Sequence, residues 1–379
     1  MPVTPAPTRR RLLQGLAAAT VARPAWAAPA PGPAPTLALD GAPLRARAAA
    51  KGLLFGSAVQ QNQIANDPAF AATVEREAAL VTPEFELKWA PVRPTPGATR
   101  FAEPDALLDW CGRQGLQMRG HALVWHEALP GWVPRFLDGP GAHNLLREHI
   151  ALLVGRYAGR LHSWDVVNEA VEPKHGRADG LRVTVWQAAL GADYVELAYR
   201  LAAAADPRVP LYYNEYGLDF DTPEDEARRR ATLALLERLR ARGAPIHGLG
   251  IQGHLFGAGK RFNATRFNAF LDQVAALGLT IMITELDVTD DKLPGDVAMR
   301  DAAVAGIAAD YLAVACGHKA VAGVMTWGLS DRRTWLNDSA DYKRADGLAQ
   351  RPLPLDAALA RKPMWAAIAR SLDGAKGRG

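Results

Sequence analysis

Short apolar runs rich in β-branched and aromatic residues recur along the chain, and amphipathic stretches separate them. The runs are Leu53–Val59, Leu80–Pro83, Met118–Trp125, Ser163–Asn168, Leu211–Tyr216, Gly248–His254, Thr280–Leu286 and Val321–Trp327. Between them, apolar residues return at helical spacing over Asp105–Gln114, Asn144–Tyr157, Val183–Ala205, Pro223–Arg242, Ala264–Leu277 and Val297–Cys316. Proline or glycine punctuates several joints, at Pro68, Pro104, Gly115, Pro223, Gly243, Gly278 and Gly317. Apolar runs bounded in this way suit parallel strands buried on both faces. Their alternation with helices means an α/β fold, and eight such units predict a single (β/α)₈ TIM barrel. A doubly wound open sheet is the competitor. It would carry a Gly-rich turn after its first strand, where Leu54-Phe55-Gly56-Ser57-Ala58 has one glycine.

The ends of the chain follow a different pattern. Arg9, Arg10 and Arg11 precede an apolar stretch, Leu12–Val21, and Ala25-Trp26-Ala27 then offers a cleavage site. Residues 1–27 read as a twin-arginine signal peptide, so export to the periplasm or the extracellular space is expected. The apolar stretch is shorter than the roughly 20 residues a membrane helix needs, and no membrane partner is expected. Residues 28–45 read as a Pro/Ala-rich linker and lead-in, 46–373 as the barrel domain and 374–379 as a flexible tail.

Charge changes meaning against this division. The 379 residues hold 44 Lys+Arg and 40 Asp+Glu, a formal +4. Four of the basic residues, Arg9, Arg10, Arg11 and Arg23, lie in the signal segment with no acid beside them. What remains is balanced, so a nucleic-acid partner is not expected. At 49% hydrophobic and 22% charged, the chain is not disordered. Two cysteines exclude a disulfide scaffold and a cysteine-built metal site, and Cys111 and Cys316 are expected as small buried thiols.

Barrels place catalytic residues at the carboxyl ends of their strands, and polar residues gather there in this chain. They include Glu84, Glu86 and Lys88 with Trp89; His121, Trp125, His126 and Glu127; Asn168 and Glu169; Asn214, Glu215 and Tyr216; Gln252 and His254; Glu285 and Asp287; and Trp327 with Asp331 and Trp335 beyond. Glu169 and Glu285 each end an apolar strand, the fourth and the seventh. A single such glutamate could be a solvated loop residue or a helix-cap partner. A pair among tryptophans fits glycoside hydrolysis, in which one carboxyl protonates the leaving oxygen and the other attacks the anomeric carbon or activates water. Their surroundings must then push their pKa values apart. His121 and His254 suit hydrogen bonding to a hydroxyl or a carboxylate, with a core role as the alternative. No His-x-His or His-Glu-x-x-His spacing occurs, so neither metal nor cofactor is expected. Trp89, Trp125, Trp327 and Trp335 suit platforms for sugar rings, or the core.

At these residues the chain resembles glycoside hydrolase family 10, the (β/α)₈ endo-β-1,4-xylanases, over roughly residues 50–370. Trp164-Asp165-Val166-Val167-Asn168-Glu169 is similar to the family's acid/base motif and Ile283-Thr284-Glu285-Leu286-Asp287 to its nucleophile motif. Supporting stretches include Arg119-Gly120-His121, Leu123-Val124-Trp125-His126, Gln252-Gly253-His254-Leu255 and Thr326-Trp327-Gly328-Leu329-Ser330-Asp331. The resemblance implies a retaining double displacement on xylan, with Glu285 as nucleophile and Glu169 as acid/base. It implies that Asn168 meets the 2-hydroxyl of the reacting sugar, and that His254 holds Glu285 with Asp287 behind it. Glu84, Lys88, Trp89, His121, Trp125, Asn214, Tyr216, Gln252, Trp327 and Trp335 are implied to bind substrate. A monomer is expected.

Two positions depart from the family pattern. Phe85 and Ala128 stand where the family carries an asparagine and a glutamine that serve the second glycone sugar. Two missing amides and added apolar bulk are expected to alter that subsite, toward short or branched xylo-oligosaccharides or related β-glycosides. A non-catalytic carbohydrate-binding barrel is a further alternative, which predicts that one carboxylate should be missing.

Overall fold

The computed structural model describes residues 41–138 and 140–378. The signal segment and most of the linker expected from the sequence lie outside them. Nine parallel strands form: β1 (Leu54–Val59), β2 (Leu80–Pro83), β3 (Gln117–Gly120), β4 (Ser163–Asn168), β5 (Leu211–Glu215), β6 (Gly248–Ile251), β7 (His254–Phe256), β8 (Thr280–Thr289) and β9 (Val321–Thr326). Eight of them close in the order β1-β2-β3-β4-β5-β6-β8-β9, with β9 paired back to β1. Helices cover the outside, which is why most strand residues are buried on both faces. The expected (β/α)₈ barrel is the fold found.

The expected run Gly248–His254 divides into β6 and β7, and β7 pairs with the outer half of a long β8. The expected run Met118–Trp125 is a strand only to Gly120, after which Val124 makes one bridge to Val167. The expected helix Val183–Ala205 breaks into Val185–Leu190 and Tyr194–Ala205 at Gly191, whose φ of 72° lies in the left-handed region. Four helix starts follow side-chain caps. Asp67, Thr222, Asn263 and Asp296 each accept a backbone N–H from the first turn of the helix that follows.

A helix at Leu44–Ala49 straddles the expected domain start at residue 46. The buried Glu77 carboxylate accepts from Leu44 N (2.9 Å), Trp365 Nε1 (3.1 Å) and Arg361 Nη2 (2.9 Å). It thereby ties this helix to the last one, Pro363–Asp373, and Arg47 pairs with Asp373. The tail expected to be flexible is packed as far as Arg378, whose guanidinium donates to the carbonyls of Cys316, His318 and Val321. These donors satisfy carbonyls at the end of the helix Val297–Gly317 and at the start of β9. Cys111 and Cys316 are free and buried, and burial pushes both thiols up to about 12.

Inside the barrel, Leu80, Tyr212, Met282 and Met325 form a small apolar layer. The Arg119 guanidinium lies over the Tyr212 ring at 4.7 Å and pairs with Asp165, which in turn binds His121 Nδ1 at 3.0 Å. This buried column rises from the apolar layer to the carboxyl ends of the strands.

Candidate active site

A cleft of about 980 Å³ opens at those carboxyl ends. β4 delivers Asn168 and, one residue on, Glu169. The Glu169 backbone sits at φ 57°, a conformation costly for a residue with a side chain. Two contacts hold it there. Its N–H donates to the Asn214 carbonyl (2.9 Å), and its carbonyl accepts from Arg182 Nε (2.9 Å). The carboxylate then accepts from Gln252 Nε2 (2.9 Å) and Asn168 Nδ2 (3.1 Å) on one oxygen and from Trp125 Nε1 (2.9 Å) on the other.

Glu285 comes from the middle of β8. Successive residues of a regular strand point to opposite faces, yet Thr284 and Glu285 both bond Asn214, at 2.7 Å each. The register of β8 against β9 shifts at this place, between Ile283 and Leu286. Gly250 on β6 lets Asn214 reach across, because a Cβ there would stand 2.2 Å from Asn214 Oδ1. Asn214 also donates to Asn168 Oδ1 (2.9 Å), so two amides link the Glu169 and Glu285 carboxylates. The second Glu285 oxygen meets His254 Nε2 at 3.2 Å. His254 Nδ1 binds Asp287 at 2.8 Å, and Trp335 Nε1 donates to the other Asp287 oxygen at 2.8 Å.

These surroundings drive the two carboxyls in opposite directions. Burial raises Glu169 above the usual carboxylate range, against its donors Gln252 and Trp125. Burial acts the same way on Glu285, but hydrogen bonds from His254 and Asn214 and the nearby imidazoles of His121 and His254 outweigh it and hold this carboxyl low. Burial would neutralise His254, yet Asp287 and Glu285 keep it well above its ordinary value, so it stands as an imidazolium. Lys88 is lowered by burial, against the pull of Glu285, Glu84 and Glu169, and lies over the Trp125 ring at 4.9 Å.

Glu84, Lys88, His121, Trp125, Tyr216, Gln252, Trp327 and Trp335 line the cleft with Asn168, Glu169, His254 and Glu285. Four expected positions are corrected. Trp89 is a core residue, 2% exposed, stacked on His149 at 3.5 Å and donating to the Leu123 carbonyl at 2.6 Å. It opens the short helix Trp89–Val92, which turns its ring away while the preceding Lys88 faces the cleft. Asn214 is fully buried and acts behind the wall, on Glu285 and Asn168. Phe85 is 48% exposed and lines no part of the cleft, so its bulk does not narrow it. Ala128 is likewise off the cleft, and neither position offers an amide.

Arg182, Glu172 and Arg228 escaped the reading from sequence. Arg182 Nη2 donates to Tyr216 Oη (2.8 Å), Arg228 Nη2 pairs with Glu172 (2.8 Å), and all four line the cleft. They lie on loops and a helix rather than at strand ends, so the strand-end signal does not reach them. Among the described residues, no group of three or more His, Cys, Asp or Glu side chains could hold a metal ion. None of the described helices is long and apolar enough to cross a membrane.

Comparison with known proteins agrees with this geometry. The sequence profile of glycosyl hydrolase family 10 matches residues 43–371. Endo-1,4-beta-xylanase 2 of Claviceps purpurea is 33% identical over 289 residues, 75% of this chain and 80% of that protein. Beta-1,4-xylanase of Dictyoglomus thermophilum is 34% identical over 268 residues, 68% of this chain and 72% of that one. The crystal structure of native xylanase 10B from Thermotoga maritima superposes with a TM-score of 0.79 at 28% identity, covering 87% of this chain and 98% of that one. The chain belongs to glycosyl hydrolase family 10.

Proposed function

We propose that the protein is a retaining endo-β-1,4-xylanase in which Glu285 is the nucleophile and Glu169 the acid/base. The observation that carries this reading is the opposite tuning of two carboxyls in one cleft, one raised and one lowered. Ionised Glu285 attacks the anomeric carbon while protonated Glu169 gives its proton to the departing oxygen. Once the leaving sugar has gone, Glu169 takes a proton from water, and that water releases the glycosyl group from Glu285. The His254 imidazolium, fixed by Asp287, keeps the nucleophile ionised and aimed. Asn168 lies beside Glu169 in the cleft wall, where a contact to the 2-hydroxyl of the reacting sugar would strengthen toward the transition state. Trp125, Trp327 and Trp335 provide indole faces for the sugar rings.

Both carboxylates are present, which disfavours a non-catalytic binding barrel. The same chemistry on short or branched oligosaccharides is a second reading, motivated by the departure of Phe85 and Ala128 from the family pattern, although both positions lie off the cleft. The arginines before Leu12–Val21 and the Ala25-Trp26-Ala27 site support export by the twin-arginine route. N-terminal sequencing of the mature protein from cell fractions tests that part. For the catalytic reading, purified protein is incubated with unsubstituted xylan and oligomers, and the products and their anomeric configuration are followed. Retained configuration and loss of turnover in Glu285→Ala are expected. A wild type that binds xylan but releases no reducing sugar would refute the reading.

A further inference from the structure

Where β4 ends, the backbone turns through the left-handed residue Glu169 and runs on into residues 170–171. β5 receives the N–H groups of this turn one after another. Glu169 N donates to the Asn214 carbonyl (2.9 Å), Ala170 N to Tyr213 Oη (3.0 Å) and Val171 N to Glu215 Oε2 (3.1 Å). The pairing of β4 with β5 stops at Asn168 and Asn214, so beyond that point side chains take over from the backbone ladder. Tyr213 and Glu215 are fully buried and stand on one face of β5. Asn214, between them, points the other way, to Asn168 and Glu285. One strand therefore anchors both halves of the catalytic pair: Glu285 by a side chain on one face, the Glu169 turn by two side chains on the other.

The chemistry of these anchors is specific. The Tyr213 hydroxyl accepts from Ala170 N and donates to Glu215 Oε2. The other oxygen, Oε1, accepts from Tyr216 N at 3.1 Å and faces Arg228 Nη1 at 3.7 Å. Arg228 is itself held by Glu172 (2.8 Å) and by the Val171 carbonyl. Tyr213, Val171, Tyr216 and Arg228 all present donors, so a side chain that only accepts suits both oxygens, and a glutamine would turn an NH₂ group toward one pair of them. Neither Tyr213 nor Glu215 lines the cleft, so any bearing on the reaction passes through the backbone they hold.

We propose that Tyr213 and Glu215 are positioning residues for the proton that Glu169 gives to the departing oxygen. The φ of 57° at Glu169 is costly for a residue with a side chain, so the turn relaxes when its anchors are removed. In the first step Glu285 bonds to the anomeric carbon while the bond from that carbon to the leaving oxygen breaks. The electron pair of the broken bond stays on the leaving oxygen, and the Glu169 proton joins it. A loosened turn should therefore hurt only those substrates whose leaving oxygen needs that proton. The inference rests on the xylanase reading above, with Glu169 as acid/base.

The test uses the full chain and two aryl xylobiosides, one of phenol and one of dinitrophenol. Phenol leaves only with a proton, whereas dinitrophenolate departs as the anion. Glu215→Gln and Tyr213→Phe are compared with wild type for kcat/KM, which reports the first step. Each should lose about tenfold on the phenyl substrate, the cost of shifting a reacting group by part of an ångström, and hold its rate on the dinitrophenyl one. Glu169→Ala, run in parallel, sets the full dependence on the leaving group. Trp89→Phe, a core change away from this turn, is the stability control and should show no such dependence. If circular dichroism shows that Glu215→Gln does not fold, Tyr213→Phe, which loses one hydroxyl, decides alone. Equal losses on both substrates, or none on either, would overturn the inference while Glu169→Ala stays selective. A Glu169→Ala variant that loses equally on both substrates would instead remove the acid/base reading itself.

Discussion

Replacing His254 by asparagine isolates the electrostatic half of the proposed mechanism. In the wild type, burial alone would raise the Glu285 carboxyl above the range in which it can act as a nucleophile at acidic pH. The imidazolium 3.2 Å away reverses that tendency, and Asp287 at 2.8 Å keeps the imidazole charged. Asparagine is small enough for the site but carries no charge. It removes one charge-assisted hydrogen bond and leaves Asp287 and Glu285 facing each other as like charges. A hydrogen bond to a charged group contributes about 1.5–3 kcal/mol. At 1.36 kcal/mol per pKa unit this corresponds to a rise of roughly 1–2 units at Glu285.

The sign fixes what is seen. The pH profile of kcat/KM reports the free enzyme. Activity rises as Glu285 ionises and falls as Glu169 loses its proton. His254→Asn should therefore move the acidic limb up by about 1–2 units. The alkaline limb should stay, because Glu285 is ionised there in both proteins and its effect on Glu169 is the same. Initial rates at low substrate concentration across the pH range, with circular dichroism as a fold check, give the result. An acidic limb that does not move would refute the assigned role of His254. A shift of the alkaline limb instead would mean that the two carboxyl roles are exchanged.

Three further outcomes follow from the same geometry. Gln252→Leu removes a donor from Glu169, so the alkaline limb of the kcat/KM profile should rise by up to about 1 unit while the acidic limb holds. Arg182→Lys loses the planar fork that joins the Glu169 carbonyl to Tyr216. With the left-handed backbone at Glu169 less firmly held, kcat should fall by roughly tenfold, the scale of about 1.4 kcal/mol, with KM changed far less, as steady-state kinetics would show. Trp89→Phe leaves the Leu123 carbonyl without its donor, so denaturant unfolding should show a loss of about 1–3 kcal/mol. KM should be unchanged, and a raised KM would return Trp89 to the cleft.

The barrel was legible because its signal is repeated. Each strand is an apolar run with most of its residues buried, each main helix an amphipathic stretch, and eight copies leave few other folds. The catalytic pair was legible for a related reason. An ionisable residue closing a buried apolar run is costly: Glu169 follows β4, and Glu285 follows the apolar Ile281–Ile283 although β8 itself runs on to Thr289, both toward the end where barrels carry chemistry. Arg182 and Arg228 were not, since an arginine in a loop or on a helix surface looks like any solvated arginine. Only the tertiary structure brings Arg182 to the Glu169 carbonyl and Arg228 to Glu172.

The misplaced residues show what a strand-end signal lacks. It places a polar side chain near the cleft without saying whether its hydrogen-bonding groups are free to meet a sugar. Asn214 stands at the right height on β5, but its amide nitrogen is spent on Asn168 and Glu285 and its oxygen on Thr284. Nothing in it remains for substrate, so its contribution to catalysis passes entirely through the two carboxylates it connects. The local shift in β8 makes this possible, because without it Thr284 and Glu285 would face opposite ways and could not share one amide. Whether a polar group in this barrel supports the machinery or meets a ligand is decided by which of its bonds the fold has already used.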